Sequence, residues 1–267
     1  MSTSLQSIPV RRLFGILIHA ASMAQVLEDC QGAIRQRRRL MIGVVNAAKI
    51  VNMRRQPILH ESVTESDLIL ADGMAVVWAS RILRAPLPER VAGIDLFERL
   101  LQMADRHGHA VYFLGASQEV LDRLLLRIGQ RYPGLRIVGA HDGYFTDDQA
   151  EKVAAEIRVA QPDLLFVGMT SPKKELFMRR WGDHMQVPVC HGVGGSFDVF
   201  AGKVKRAPLT WQRLGLEWLY RVVQEPRRMW RRYLVTNTIF LWMLSSALYY
   251  RVLSGSALAL DGTDIRR

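Results

Sequence analysis

Residues 163–198, DLLFVGMTSPKKELFMRRWGDHMQVPVCHGVGGSFD, decide the fold. Two short apolar runs, 163–167 and 187–191, flank a segment that a proline opens as a helix and that is far more polar. A strand, a helix and a second strand are therefore expected, and near-continuous apolarity suits strands covered on both faces. The second run empties into GVGG, a glycine-rich turn of the kind that lets backbone amides approach phosphates. It does not match G-x-G-x-x-G, so a nicotinamide-dependent oxidoreductase or epimerase lacks its fingerprint here.

Upstream the alternation continues, with runs at 13–18, 41–45, 67–71, 110–114 and 135–139. Amphipathic stretches between them predict helices, and Ser22 with Gln25 and Thr146 with Gln149 have capping-box spacing. The whole reads as an α/β chain, a mostly parallel sheet flanked by helices, over residues 1–200. The apolar run at 13–21 is too short for a secretory signal and leads into a helix start, which points to a cytoplasmic body. Cys30 and Cys190 are the only cysteines and suit reduced thiols. The histidines at 60, 107, 109, 141, 184 and 191 show no zinc spacing, so no metal is expected.

After residue 198 the composition shifts. Lys203, Lys205, Arg206, Arg213, Arg221, Arg227, Arg228, Arg231 and Arg232 face only Glu217 and Glu225, with Trp211, Trp218, Tyr220, Trp230 and Tyr233 interleaved. An apolar stretch, 234–250, follows. The chain carries a formal net charge of +11, much of it here, which calls for a polyanionic partner. An anionic membrane face explains the basic residues, the aromatics and the apolar run together. Nucleic acid explains the first two and leaves the third without a role, so it is not expected as a partner. A basic helix laying its tryptophans on the core accounts for some of these aromatics as well. Thr236, Asn237, Thr238, Ser245 and Ser246 dilute the apolar stretch, and Arg231, Thr238 and Ser245 share a face, which favours lying in the interface over spanning. Residues 201–253 are thus expected to form a membrane-association appendage, and 254–267 a flexible tail.

In parallel α/β sheets ligands sit at the carboxyl ends of strands. Those ends carry Asn46, Asp72, Tyr144, Lys173, Lys174 and the Gly194-Gly195 turn with Asp198. Asp72 suits either a general base or the N-cap of a helix starting near Met74. Asp198 suits a ribose hydroxyl or the cap of the next helix, and either lysine suits a phosphate or a solvated helix start.

VVNAAKIV, ADGMAVVWASRIL, PLPERVAGIDL, VYFLGAS, YPGLRIVGAHDGYF, PDLLFVGMTSPKKE, GVGGSFDVFAGKVKRAP and LEWLYRVVQEPRR occur in order, within a match that runs from about residue 13 to residue 232. Together they resemble the WecG/TagA/CpsF family of bacterial glycosyltransferases. The resemblance implies a Rossmann-like core and an inverting, metal-independent enzyme without a cofactor. It also implies that a hexose-type sugar moves from a UDP-sugar to a polyprenyl-diphosphate-linked saccharide for a cell-surface polymer or exopolysaccharide. By the same resemblance Asp72 is the general base, with Asn46 and Arg90 beside it. Tyr144 and Asp198 fall on the nucleotide, while Arg206, Arg221, Arg227 and Arg228 belong to an appendage that docks on the membrane and helps close the site. The enzyme is then peripheral on the cytoplasmic face of the inner membrane, and a homo-oligomer is compatible with the family.

Two positions depart from the family pattern: Val44 stands where a threonine is usual, and Lys174 where a glutamine is. Lys174 is expected to add a cation near the donor diphosphate or a donor carboxylate. A non-catalytic scaffold that binds nucleotide sugars in an assembly complex is the alternative these departures leave open. A chain ending at residue 200 is expected to leave the membrane and lose transfer.

Overall fold

The computed structural model describes residues 8–253, apart from the side chains of residues 228 and 251–253; the expected tail at 254–267 lies outside the described residues. The first described elements are strands β1 (Val10–Leu13) and β2 (Ile16–His19), then helix α1 (Met23–Gln36). Strand β3 (Leu40–Val45), helices α2 (Ala47–Arg55) and α3 (Pro57–Thr64) and strand β4 (Leu68–Ala71) follow. Next come α4 (Met74–Ile82), α5 (Gly93–His107), β5 (Ala110–Gly115), α6 (Gln118–Arg131) and β6 (Arg136–His141). Helix α7 (Ala150–Ala160), β7 (Leu164–Gly168), α8 (Lys173–Met185), β8 (Val189–Gly192) and the short α9 (Ser196–Phe200) complete the alternating part. Three helices end the described residues: α10 (Leu209–Arg213), α11 (Glu217–Gln224) and α12 (Pro226–Leu253).

Strands β3 to β8 form one parallel sheet in the order β4-β3-β8-β7-β5-β6. In β3, β4, β5, β7 and β8 the side chains alternate between two buried faces, as the apolar runs required, while the edge strand β6 is exposed or half-buried along its length. Leu40, Ile42 and Val44 pack with α1, α5 and α6, while Met41 and Val45 face the opposite layer. The result is a three-layer α/β sandwich with every sheet carboxyl end on one rim.

The expected strand at 13–18 is two strands. Phe14 and Gly15 both have positive φ (54° and 84°) and turn the run back on itself as an antiparallel hairpin. This is the two-residue turn whose twist suits a hairpin. The hairpin stays out of the main sheet and guards its β4 edge, where His19 Nδ1 accepts from Ile69 N at 3.0 Å. Ser22 and Gln25 form a complete capping box on α1, with bonds of 3.3 and 2.8 Å. Thr146 and Gln149 form half of one: Gln149 Oε1 accepts from Thr146 N at 3.0 Å, but α7 begins only at Ala150.

The C-terminal helices are built into the body. Helix α12 lies along α2, and its Phe240 and Met243 are buried in the cluster that holds Ile50, Val51 and Met53. The Phe240 ring meets Phe14 at the hairpin tip, 5.1 Å between centroids. Trp211 packs on Tyr220 and Trp218 on Tyr233, so part of the aromatic set serves packing. Arg231, Thr238 and Ser245 do share an exposed face, together with Leu234, Leu241 and Trp242. Among the described residues, no helix is long and apolar enough to cross a membrane.

Candidate active site

The carboxyl ends of β3, β4, β7 and β8 surround a cavity of about 440 Å³, roofed by residues of α11 and α12. Asp72 follows β4 and lines it. Its carboxylate does not cap α4, whose N-cap is Gly73 without a side-chain bond. Instead Oδ1 accepts from Gly93 N, the first residue of α5, at 2.8 Å. The loop that brings Gly93 there is tied to the same strand by Val91 N donating to Ala71 O at 2.9 Å. Asn46, the N-cap of α2, accepts from Lys49 N at 2.9 Å and turns its Nδ2 toward Asp72 Oδ2 at 3.5 Å, a loose contact. One carboxylate oxygen is thus fixed on a backbone amide and the other is only lightly held, half-buried at the cavity wall.

His191 on β8 is fully buried behind this point, and its Nε2 donates to Gly93 O at 3.0 Å. Burial drives its pKa down to about 4, so the ring is neutral and props the start of α5. It is a support for Asp72 rather than a group open to the cavity.

Two lysines share one carboxylate on the floor. Glu175 Oε1 lies 2.8 Å from Lys49 Nζ and 2.9 Å from Lys174 Nζ. All three are shielded, with side-chain exposures of 8% for Glu175, 11% for Lys49 and 9% for Lys174. Burial, reinforced by the neighbouring Lys174, lowers the Lys49 pKa to about 8 against the pull of Glu175. Burial alone would raise Glu175, but the two ammonium groups outweigh it and hold the carboxyl at about 2. Lys173, the other lysine of the motif, is committed elsewhere: its Nζ donates to Gly143 O and Phe145 O at 3.0 and 2.8 Å.

The glycine turn lines the cavity, and Gly194 has a φ of +54°, which favours glycine. The amides of Val193 and Gly194 donate to Val167 O, and that of Ser196 to Val193 O, so these three are already engaged. What the turn mainly offers is a surface free of side chains. Gly195 and Asp198 line the cavity too, Asp198 from the first turn of α9 rather than as a cap of α10. Phe197 anchors the turn; it is fully buried against Phe97 and Phe113. Tyr144 is not brought in: its ring is 81% exposed on the loop after β6 and is not among the cavity-lining residues.

The roof is hung from α5. Arg90 donates to Glu217 Oε2 at 2.7 Å and to Asp95 Oδ2 at 3.3 Å, and Arg206 binds the other oxygen of Asp95. Arg90 therefore stands behind the wall as a clamp between α5 and α11, and does not line the cavity. Arg206 and Arg221 do line it, as does Arg232. The Arg206 Nε is buried without a hydrogen-bond partner among the described residues. Arg227 is exposed on α12, and the Arg228 side chain lies outside the described residues. Val44 and Lys174, the two departures from the motif pattern, both line the cavity.

Sequence reasoning missed Lys49, Glu175, Gly93, Asp95 and Glu217. Lys49 carried a signal, a lone lysine in the apolar AAKIV three residues after the strand-end asparagine. Cys30 and Cys190 are free and buried, with thiols pushed up by burial, and neither lines the cavity. Among the described residues, no three His, Cys, Asp or Glu side chains gather as a metal site.

Comparison with known proteins agrees with this arrangement. The family model described as "Glycosyl transferase WecG/TagA/CpsF family" matches residues 11–252. The chain is also similar to the N-acetylglucosaminyldiphosphoundecaprenol N-acetyl-beta-D-mannosaminyltransferase of Bacillus spizizenii. The two are 40% identical over 180 residues, 67% of this chain and 69% of that protein. A parallel sheet with a carboxylate at its rim, a cation-lined cavity and a match over nearly the whole described chain lead to one conclusion: this protein is a glycosyltransferase and belongs to the WecG/TagA/CpsF family.

Proposed function

We propose that this glycosyltransferase moves a hexose-type sugar from a UDP-sugar to a polyprenyl-diphosphate-linked saccharide, with inversion and without a metal, in cell-surface polysaccharide assembly. The observation that carries the proposal is Asp72: a half-buried carboxylate on the wall of a cavity bordered by Lys174, Arg206, Arg221 and Arg232. Inversion by single displacement needs one base and a stabilised leaving group. Asp72 takes the proton of the acceptor hydroxyl, and that oxygen bonds to the anomeric carbon. The bond from that carbon to the diphosphate breaks at the same time, and UDP leaves with its electron pair. A positioned base contributes about 10²–10⁴-fold, and fixed cations stabilise the departing charge.

The acceptor class is supported by the relative, whose name gives a diphosphoundecaprenol-linked sugar. Such a lipid holds its diphosphate at the bilayer surface, and the outward face of α12 suits that place. Trp230, Leu234, Leu241, Trp242 and Tyr249 are exposed there beside Arg231. A peripheral seat on the cytoplasmic face would set the cavity roof against the headgroups.

Asp72→Asn tests the assignment. Asparagine can keep the bond from Gly93 N but cannot take a proton. Turnover on a lipid-linked acceptor should fall about 10²–10⁴-fold while UDP affinity stays within a few-fold. Turnover within threefold of the parent would remove Asp72 as the base. If the parent transfers to no lipid-linked acceptor while binding UDP, the acceptor class proposed here is wrong.

A further inference from the structure

The floor of the cavity contains more positive charge than its fold requires. Lys49 and Lys174 both bind Glu175 Oε1, so one carboxylate serves two ammonium groups in a shielded site. Asp72, the other carboxylate acting on Lys49, already accepts from Gly93 N and faces Asn46 Nδ2. His191, which also adjoins Lys174, is neutral. Buried charge is tolerated when it is paired, and among the described residues one of these two cations shares its counter-charge with the other.

The surplus is directed at a particular place. Lys174 Nζ lies 3.8 Å from the position a Cβ would take on Gly194, and apart from Gly194 and its two chain neighbours no other heavy atom of the described residues comes within 4 Å of that position. The side-chain-free surface of the turn therefore leaves open space directly beside an ammonium group. An ammonium has three protons, and the ion pair of Lys174 with Glu175 Oε1 at 2.9 Å cannot engage them all.

Resting on the UDP-sugar reading above, we propose that Lys174 is the anion-binding lysine of the donor site. Steadied by Glu175, it donates to an anionic oxygen of the bound donor in the space beside Gly194. That oxygen belongs to the diphosphate or to a carboxylate on the transferred sugar, and the two sources make different predictions.

The test is calorimetric titration of the full chain with UDP, UDP-glucose and UDP-glucuronate, for the parent and for Lys174→Gln. This substitution leaves the Lys49–Glu175 pair in place, so the fold should survive. Lys174→Arg, which keeps the charge, should retain affinity within a few-fold. Lys152→Gln removes one charge from the exposed face of α7, away from the cavity, and should match the parent. Loss of a charge-assisted hydrogen bond predicts weakening on the order of 10- to 100-fold. Equal weakening for all three ligands assigns the contact to the diphosphate. Weakening for UDP-glucuronate alone assigns it to a sugar carboxylate. If the parent binds and Lys174→Gln binds all three equally well, the proposal is overturned while the UDP-sugar reading stands. If the parent binds none of the three, both fall.

Discussion

Glu175→Gln is the most informative single change for stability, because it removes a carboxylate and leaves two lysines behind. At neutral pH, Glu175 Oε1 neutralises ammonium groups at 2.8 and 2.9 Å, and both are about nine-tenths shielded. Removing one member of a buried charged set typically costs about 3–5 kcal/mol. For a chain of this size, about 2–3 °C per kcal/mol gives a fall in Tm on the order of 10 °C at pH 7. The loss has an escape route that fixes its pH dependence. Lys49 already titrates at about 8 in the folded protein, below its ordinary 10.5. Between those values the unfolded chain binds more protons than the folded one, so this lysine's contribution to stability rises with pH. Without Glu175 its folded pKa falls further, and the variant can shed the proton at a lower pH. The deficit should therefore shrink from pH 7 to pH 9. On the acid side, Glu175 titrates at about 2 against an ordinary 4.5, so its stabilisation is complete above 4.5 and fades toward 2. Thermal unfolding of both proteins at pH 5, 7 and 9, followed by circular dichroism, measures all of this. A Tm within 2 °C of the parent at pH 7, or a deficit that does not change by pH 9, would refute the reasoning.

Arg90→Gln should loosen the roof rather than the chemistry: Glu217 loses its 2.7 Å partner, and limited proteolysis should cut residues 201–225 faster, with transfer reduced at least tenfold. Unchanged cleavage would show that the clamp holds nothing. Gly168→Ala would place a Cβ 2.3 Å from Phe197 Cδ2, so urea unfolding should show a loss of about 1–3 kcal/mol or more; a loss below about 0.5 kcal/mol contradicts the packing. The double change Leu241→Ser, Trp242→Ser should weaken sedimentation with anionic vesicles at least tenfold and leave Tm within about 2 °C, since these residues are 61% and 64% exposed. Undiminished vesicle binding would put the membrane face elsewhere.

Strand positions were legible because a parallel sheet covered on both faces leaves a plain mark, a short apolar run. The same mark hid the hairpin, since Phe14 is apolar and only Gly15 hints at the turn. Strand ends located Asn46 and Asp72 without knowledge of their partners. Partnership itself was not legible. The sequence offers Asp72 as a base or as a cap for α4, and the structure shows its carboxylate bound at the start of α5, 21 positions downstream. Lys49 and Glu175 meet across 126 positions, and no local spacing announces such a pair. Arg90 and Tyr144 sit in motifs as recognisable as that of Asp72, yet one stands behind the wall and the other on an exposed loop. A motif reports that a segment matters, while the packing of neighbouring segments decides which way its side chain faces.

The basic C-terminal region shows the same principle at larger scale. Composition sets it apart after residue 198, and an appendage that can be removed follows naturally from that boundary. The structure ties it down from inside, through Phe240 against Phe14, Met243 beside α2 and Glu217 against Arg90. Ending the chain at residue 200 would strip those contacts and open the core cluster around Ile50 and Val51. Burying one large apolar side chain contributes about 1.5–3 kcal/mol, so losing several approaches the whole stability of an ordinary domain. Loss of transfer after truncation would then follow from unfolding alone. Only changes confined to the outward face of α12, which leave its inner face packed, can separate membrane attachment from folding.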